Sequence, residues 1–122
     1  MQTKFSIKEE SQLVRPKDVI YREVIAIVDV VSVHFGVSKE AICGNNRNAL
    51  GSKCRFICMY LMIQIPELSL SKVANHFGRA NHTTTLHAIS SVAQMIKEND
   101  AYRDDIIVII DRLNESLEQT AK

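Results

Sequence analysis

The sequence has no tryptophan and only two prolines and four glycines in 122 residues, and nowhere do glycine and serine gather into a linker. One small domain around a single core is therefore expected, not two domains on a tether. No apolar run approaches the ~20 residues needed to span a bilayer. The opening MQTKFSIKEESQ also lacks the apolar segment of a secretory signal. The expected place is the cytoplasm, with no membrane partner. Cys43, Cys54 and Cys58 are odd in number and, in that compartment, are expected as reduced thiols. Cys54 and Cys58 stand four apart on a helix with His76 further on, but zinc motifs show paired ligand clusters, so both read as small core residues. No metal and no cofactor is expected. The chain has no internal repeat and no low-complexity tract.

Acid is scarce in one region. From Ala41 to Lys97 the only carboxylate is Glu67, against Arg47, Lys53, Arg55, Lys72, Arg79 and Lys97. The formal charge of the whole chain is +1, so the flanks must carry the balancing negative charge. Segregation of this kind is the electrostatic footprint of a surface that meets phosphates.

Hydrophobic periodicity predicts an all-α domain. Residues 1–16 read as a flexible arm and 17–119 as the folded unit. From Asp18 the apolar positions Ile20, Val24, Ile27, Val28, Val31 and Phe35 repeat at helical spacing, and Gly36 stops them. Ser38 caps a short helix that ends at Gly44. The segment GNNRNALGSK then reads as an exposed loop, and a nearly all-apolar helix from about Ser52 to Ile65 reads as the centre of the core. Lys53 and Arg55 fall in the first turn of that helix, where a cation suits the dipole poorly and an external phosphate would explain it. The last helix, roughly Asp100 to Gln119, places Ile106, Ile109, Ile110, Leu113 and Leu117 on one face, with Ile107 and Val108 beside it. These extra side chains are core or, alternatively, a homodimer or protein-partner face.

The stretch SLSKVANHFGRANHTTTLHA, Ser69 to Ala88, carries the functional signal. Ser69 is the expected N-cap of a helix with Leu70, Val73, Ala74 and Phe77 inward; Gly78 closes it, and Asn81 caps the next. The second helix is expected to bury Leu86, Ile89, Ala93 and Ile96 and to turn His82, Thr83, Thr84 and His87 outward. A polar, acid-free helix N-terminus after a tight turn suits an anion and a major groove.

NHTTTLHA following F-G-R resembles the signature of domain IV of DnaA, the bacterial replication initiator, whose usual form is F-G-G-R-D-H-T-T-V-L-H-A. The resemblance extends from about Val19 to Leu117. It implies an all-α helix-turn-helix domain of the Trp repressor and DnaA domain IV kind, with double-stranded DNA as partner. It also implies roles for individual residues. Arg47 takes the place of the family's minor-groove arginine, Arg55 that of a phosphate-contacting arginine and Lys53 that of another basic position. Asn81, His82, Thr83 and Thr84 match the residues that meet bases and phosphates in the major groove, and Ser71, Lys72 and Arg79 complete the expected interface.

Departures from the pattern are local. Ala80-Asn81 stands where the family has Arg-Asp, Arg79 lies one place early, and Ser71 replaces a proline. Because asparagine both donates and accepts, Asn81 could pair bidentately with adenine, or serve wholly as a cap. No G-x-x-x-x-G-K-[ST] occurs and the length leaves no room for an ATPase, so a regulator of transcription or replication without nucleotide hydrolysis is expected. Catalysis by His82, His87 and the threonines is not expected, since no carboxylate lies nearby to orient a histidine. The competing expectation is a protein-interaction module that keeps the fold with little DNA affinity.

Overall fold

The computed structural model describes residues 15–44, 48–79 and 81–121. Among the described residues six helices follow one another: α1 (Lys17–Phe35), α2 (Lys39–Cys43), α3 (Ala49–Met62), α4 (Leu70–His76), α5 (Thr83–Glu98) and α6 (Asp100–Ala121). No strand occurs among the described residues. The expected arm lies almost wholly outside them, as does Arg47.

Local chemistry sets the helix ends. The Pro16 carbonyl accepts the amides of Val19 and Ile20 at the start of α1. Gly36, at φ 66°, takes the left-handed conformation that ends that helix and that a side chain resists. Ser38 Oγ accepts the Ala41 amide at 3.1 Å to start α2. Asn48 Oδ1 accepts from both Leu50 and Gly51, at 2.9 and 3.1 Å. This double cap starts α3 at Ala49, so the second half of the expected GNNRNALGSK loop is helix. The same helix stops at Met62, short of the expected Ile65.

Helix α3 packs against α1, α2, α4 and α5 and is the centre of the molecule. Its Cys54, Ile57, Cys58, Met59, Leu61 and Met62 share one core with Val24, Ile27, Val28 and Val31 of α1, Ile42 of α2, Ala88 and Val92 of α5, and Tyr102, Ile106 and Ile109 of α6. Each large side chain so removed from water contributes about 1.5–3 kcal/mol. Burial raises the Cys54 thiol to about 11 and lifts Cys58 well above its ordinary value, so both are neutral core groups near pH 7. Not all of the expected core face of α6 is inside. Ile110 is exposed, along with Ile107 and Val108, because the helix turns Tyr102, Ile106 and Ile109 inward instead.

Two polar ties hold the ends of this bundle. Arg15 grips Glu67 through Nε at 2.9 Å and Nη2 at 2.7 Å and reaches Glu23 at 2.6 Å, joining the start of α1 to the turn before α4. These bonds hold the Glu67 carboxyl down to about 2. His34 meets Asp105 at 2.9 Å, joining α1 to α6.

Candidate nucleic-acid interface

Ser69 Oγ accepts the Lys72 amide at 3.1 Å and starts α4, as its place in the sequence predicts. Val73, Ala74 and Phe77 are buried, and the helix then stops abruptly. Gly78 takes φ 72°, its amide donates to Asn75 O at 2.9 Å, and the Arg79 amide donates to Ala74 O at 2.9 Å. This pair of bonds is the Schellman closure, which satisfies carbonyls that the helix end would otherwise leave bare. The chain is thereby turned at once toward α5. There Asn81 Oδ1 accepts the Thr83 amide at 2.9 Å and Asn81 O accepts the Thr84 amide at 3.1 Å.

The rotation of α5 about its axis differs from the expected one by a residue. Thr85, Ala88 and Val92 are the buried positions, and Leu86 is 45% exposed. Thr85 is fully buried because its Oγ1 donates to Leu70 O at 3.0 Å, which satisfies the hydroxyl and latches α5 onto the first turn of α4. Ile89, Ala93 and Ile96 are half-buried beside that stripe. A buried threonine needs a hydrogen-bond partner, and here that partner is on another helix, out of reach of any count of spacing within α5.

This rotation turns Asn81, His82, Thr83, Leu86 and His87 to the outside, with Thr84 half-buried. The His87 ring stands edge-on to Phe56 of α3, centroids 5.6 Å apart, and is oriented by that packing. Donors, acceptors and one aliphatic side chain thus share the first turns of a helix whose amide dipoles favour negative charge. The one acid of the region, Glu67, is paired with Arg15. Ser71 and Lys72 are exposed in the first turn of α4.

The two bases of α3 each meet groups of the protein itself, Arg55 buried and Lys53 half-buried. Lys53 places its ammonium 4.9 Å from the centre of the Phe35 ring and 5.3 Å from that of Tyr102, between α1 and α6. Arg55 is 4% exposed. Its Nε donates to Ile42 O at 2.8 Å and its Nη2 to Gly44 O at 2.9 Å, with Ala41 O at 3.4 Å. These are carbonyls at the C-terminus of α2, where a cation is favourable. Because α3 starts at Ala49, both bases lie in its second turn, where aromatic faces hold Lys53 and bare carbonyls hold Arg55. Burial, and then the proximity of Arg79, lower the pKa of Arg55. Arg79 donates through Nη1 to Phe77 O at 2.6 Å and lies 3.5 Å from Gly44 O. Sequence reasoning missed this convergence on one carbonyl, which has no signature in residue spacing.

Residues 24–92 match the family model described as the bacterial DnaA protein helix-turn-helix. The chain belongs to that DnaA family. Chromosomal replication initiator protein DnaA of Lachnoclostridium phytofermentans is 34% identical over 88 residues, 72% of this chain and 19% of the relative. DnaA of Synechococcus sp. strain JA-2-3B'a(2-13) is 32% identical over 71% of this chain and 19% of its own length. The chain thus spans about a fifth of the length of these curated relatives. A crystal structure of a DNA replication initiation factor aligns with a TM-score of 0.72 at 28% identity, covering 83% of this chain and 31% of that one. The matched family is the helix-turn-helix part of DnaA and not its ATPase part, and membership supports DNA binding in the DnaA manner. No helix among the described residues is long and apolar enough to cross a membrane.

Proposed function

We propose that this DnaA-family chain binds double-stranded DNA with a sequence preference related to the DnaA box and acts in the cytoplasm as a transcription or replication regulator without ATPase activity. The observation that carries the reading is the first turn of α5. Asn81, His82 and Thr83 stand exposed there, aimed by the Schellman closure at Gly78 and by the Thr85 latch. In this reading α5 enters the major groove by its N-terminus, His82 and Thr83 meet base edges, and Thr84 and Lys72 meet phosphates. Arg47 reaches the adjacent minor groove from the short loop between α2 and α3. Ser71 lies near the backbone at the start of α4.

Selection of bound duplexes from a random pool tests this directly. A recurrent motif, with affinity that falls steeply as salt rises, is the expected result. An unenriched pool, with no binding at low salt, removes the reading. A second reading draws on Ile107, Val108 and Ile110, which are 50%, 38% and 38% exposed on α6. It makes that helix a face for a second copy or another protein. Sedimentation of the wild type and of Ile107→Glu would report a homodimer as a loss of mass in the variant.

A further inference from the structure

We infer that the exposed face of α6 docks into an apolar groove between α1 and α4 of a second copy, so that copies of this chain join head to tail. This rests on the reading of α6 as a face for a second copy and deepens it by naming the surface that receives it.

The groove has a volume of about 720 Å³ and is lined by Ile20 and Val24 of α1, Met62 of α3, Leu68, and Val73 of α4, with Tyr21 among them. Tyr21 is 63% exposed, a large aromatic side chain of a type enriched at protein interfaces. Lys17 and Lys72 also line the groove, and neither has an ion-pair partner among the described residues. Glu67 is the one carboxylate among its described residues, and Arg15 already holds both of its oxygens, at 2.9 and 2.7 Å. The groove is therefore apolar, with positive charge beside it and no free acid.

Helix α6 carries the opposite pattern. Asp104, Ile107, Asp111, Asn114 and Glu118 recur every three or four residues and are all exposed, so they form one outward stripe, with Ile110 beside it. None of the three carboxylates is ion-paired among the described residues. Arg112, the one base between Asp104 and Glu118, lies about 140° around the helix from Ile107. Contact of α6 with α6 would bring like carboxylates together, and contact of groove with groove would bring lysines together. Only face into groove matches apolar with apolar and opposite signs. The formal charge of +1 sets little repulsion between whole copies.

A chain cannot satisfy its own groove. The bond from His34 to Asp105 places α6 on one flank of α1. Tyr21 lies about 140° around α1 from His34, on the side of α4. Each junction therefore uses the face of one copy and the groove of another, which leaves one of each free and lets the assembly grow as a ring or an open chain.

Sedimentation of the wild type without DNA should show an average mass that rises with concentration past that of a dimer and falls as salt is added. Two variants each disable one surface: Ile107→Ala/Asp111→Ala on the face and Lys17→Ala/Tyr21→Ala in the groove. All four side chains are exposed, and circular dichroism checks that both variants stay folded. Each variant alone should associate at least about tenfold more weakly than the wild type. Mixed in equal amounts they should form a dimer with the affinity of one wild-type junction and grow no further, because one intact face meets one intact groove. Contact of α6 with α6 gives a different pattern: the groove variant associates as the wild type does, and mixing restores nothing. That result overturns the inference and leaves α6 as a face for a second copy. A wild type that is monomeric at every concentration, or a face variant that associates normally, overturns both.

Discussion

Arg55→Ala should be among the most damaging single changes in this domain, although its charge and its place in the DnaA pattern suggest a surface contact. Its guanidinium makes two short bonds to carbonyls, 2.8 Å to Ile42 O and 2.9 Å to Gly44 O, and the residue is 4% exposed. Those carbonyls end α2 and have no helical partner, since the helix stops at Cys43. Hydrogen bonds from a charged donor contribute about 1.5–3 kcal/mol each, so the two together give about 3–6 kcal/mol. The 3.4 Å approach to Ala41 O is too long to add much. Partial wetting of the α2 terminus favours the lower end of the range. Even that is a large share of the 5–15 kcal/mol by which domains of this kind are typically stable.

Urea unfolding followed by circular dichroism reads this out. With m near 1–3 kcal/mol/M, the midpoint should fall by more than about 1 M with m unchanged. Arg55→Lys keeps the charge but not the fork that spans two carbonyls, and should lose about half as much. A loss below about 0.5 kcal/mol for the alanine variant would refute the argument and return Arg55 to the surface as a phosphate contact.

Three further outcomes follow from particular contacts. Thr85→Val should be nearly neutral, within about 1 kcal/mol by the same unfolding assay. The lost bond to Leu70 O contributes about 1 kcal/mol, and the added methyl group returns a similar amount; a loss above about 2 kcal/mol would mean that the hydroxyl is essential to the latch. Glu67 has its carboxyl lowered to about 2 by Arg15, so its stabilisation is complete above its unfolded value near 4.3 and disappears as pH falls through about 2. The gap in melting temperature between the wild type and Glu67→Gln should therefore narrow between about pH 5 and pH 2; a constant gap would disprove the pairing. Asn81→Asp should keep the cap, since the Oδ1 that accepts the Thr83 amide is retained, and gain a few tenths of a kcal/mol from the dipole. Its effect on DNA should be to move preference toward base pairs that offer an amino group at that position, because the carboxylate can only accept. Identical ranking of the four base pairs by both proteins would make residue 81 a cap alone.

Apolar period and punctuation made most of the architecture legible. Gly36, Ser38, Ser69 and Gly78 each do what their residue type predicts at a helix end, because capping is local chemistry. The start of α3 is not legible because Asn48 offers no more sequence signal than Asn45 or Asn46; only the fold makes Asn48 the cap. The rotation of α5 is hidden from the sequence for a related reason. Counting apolar residues favours Leu86, whereas a partner on another helix, Leu70 O, makes Thr85 the better buried residue. In the candidate site, the outward set from Asn81 to Thr83 was readable from the turn and the motif. The internal engagement of Lys53 and Arg55 was not, because it depends on Phe35, Tyr102 and the α2 carbonyls, which are distant in sequence.

The claim that the first turn of α5 reads DNA is tested most directly by one comparison. Binding of the wild type and of His82→Ala/Thr83→Ala is measured by fluorescence anisotropy on the selected duplex and on a scrambled duplex of equal length. At moderate salt the wild type should prefer the selected duplex by at least about tenfold, and the double variant should bind both duplexes alike, with the weaker affinity of phosphate contacts alone. Discrimination that survives the double substitution, or a wild type that never discriminates, would contradict the account.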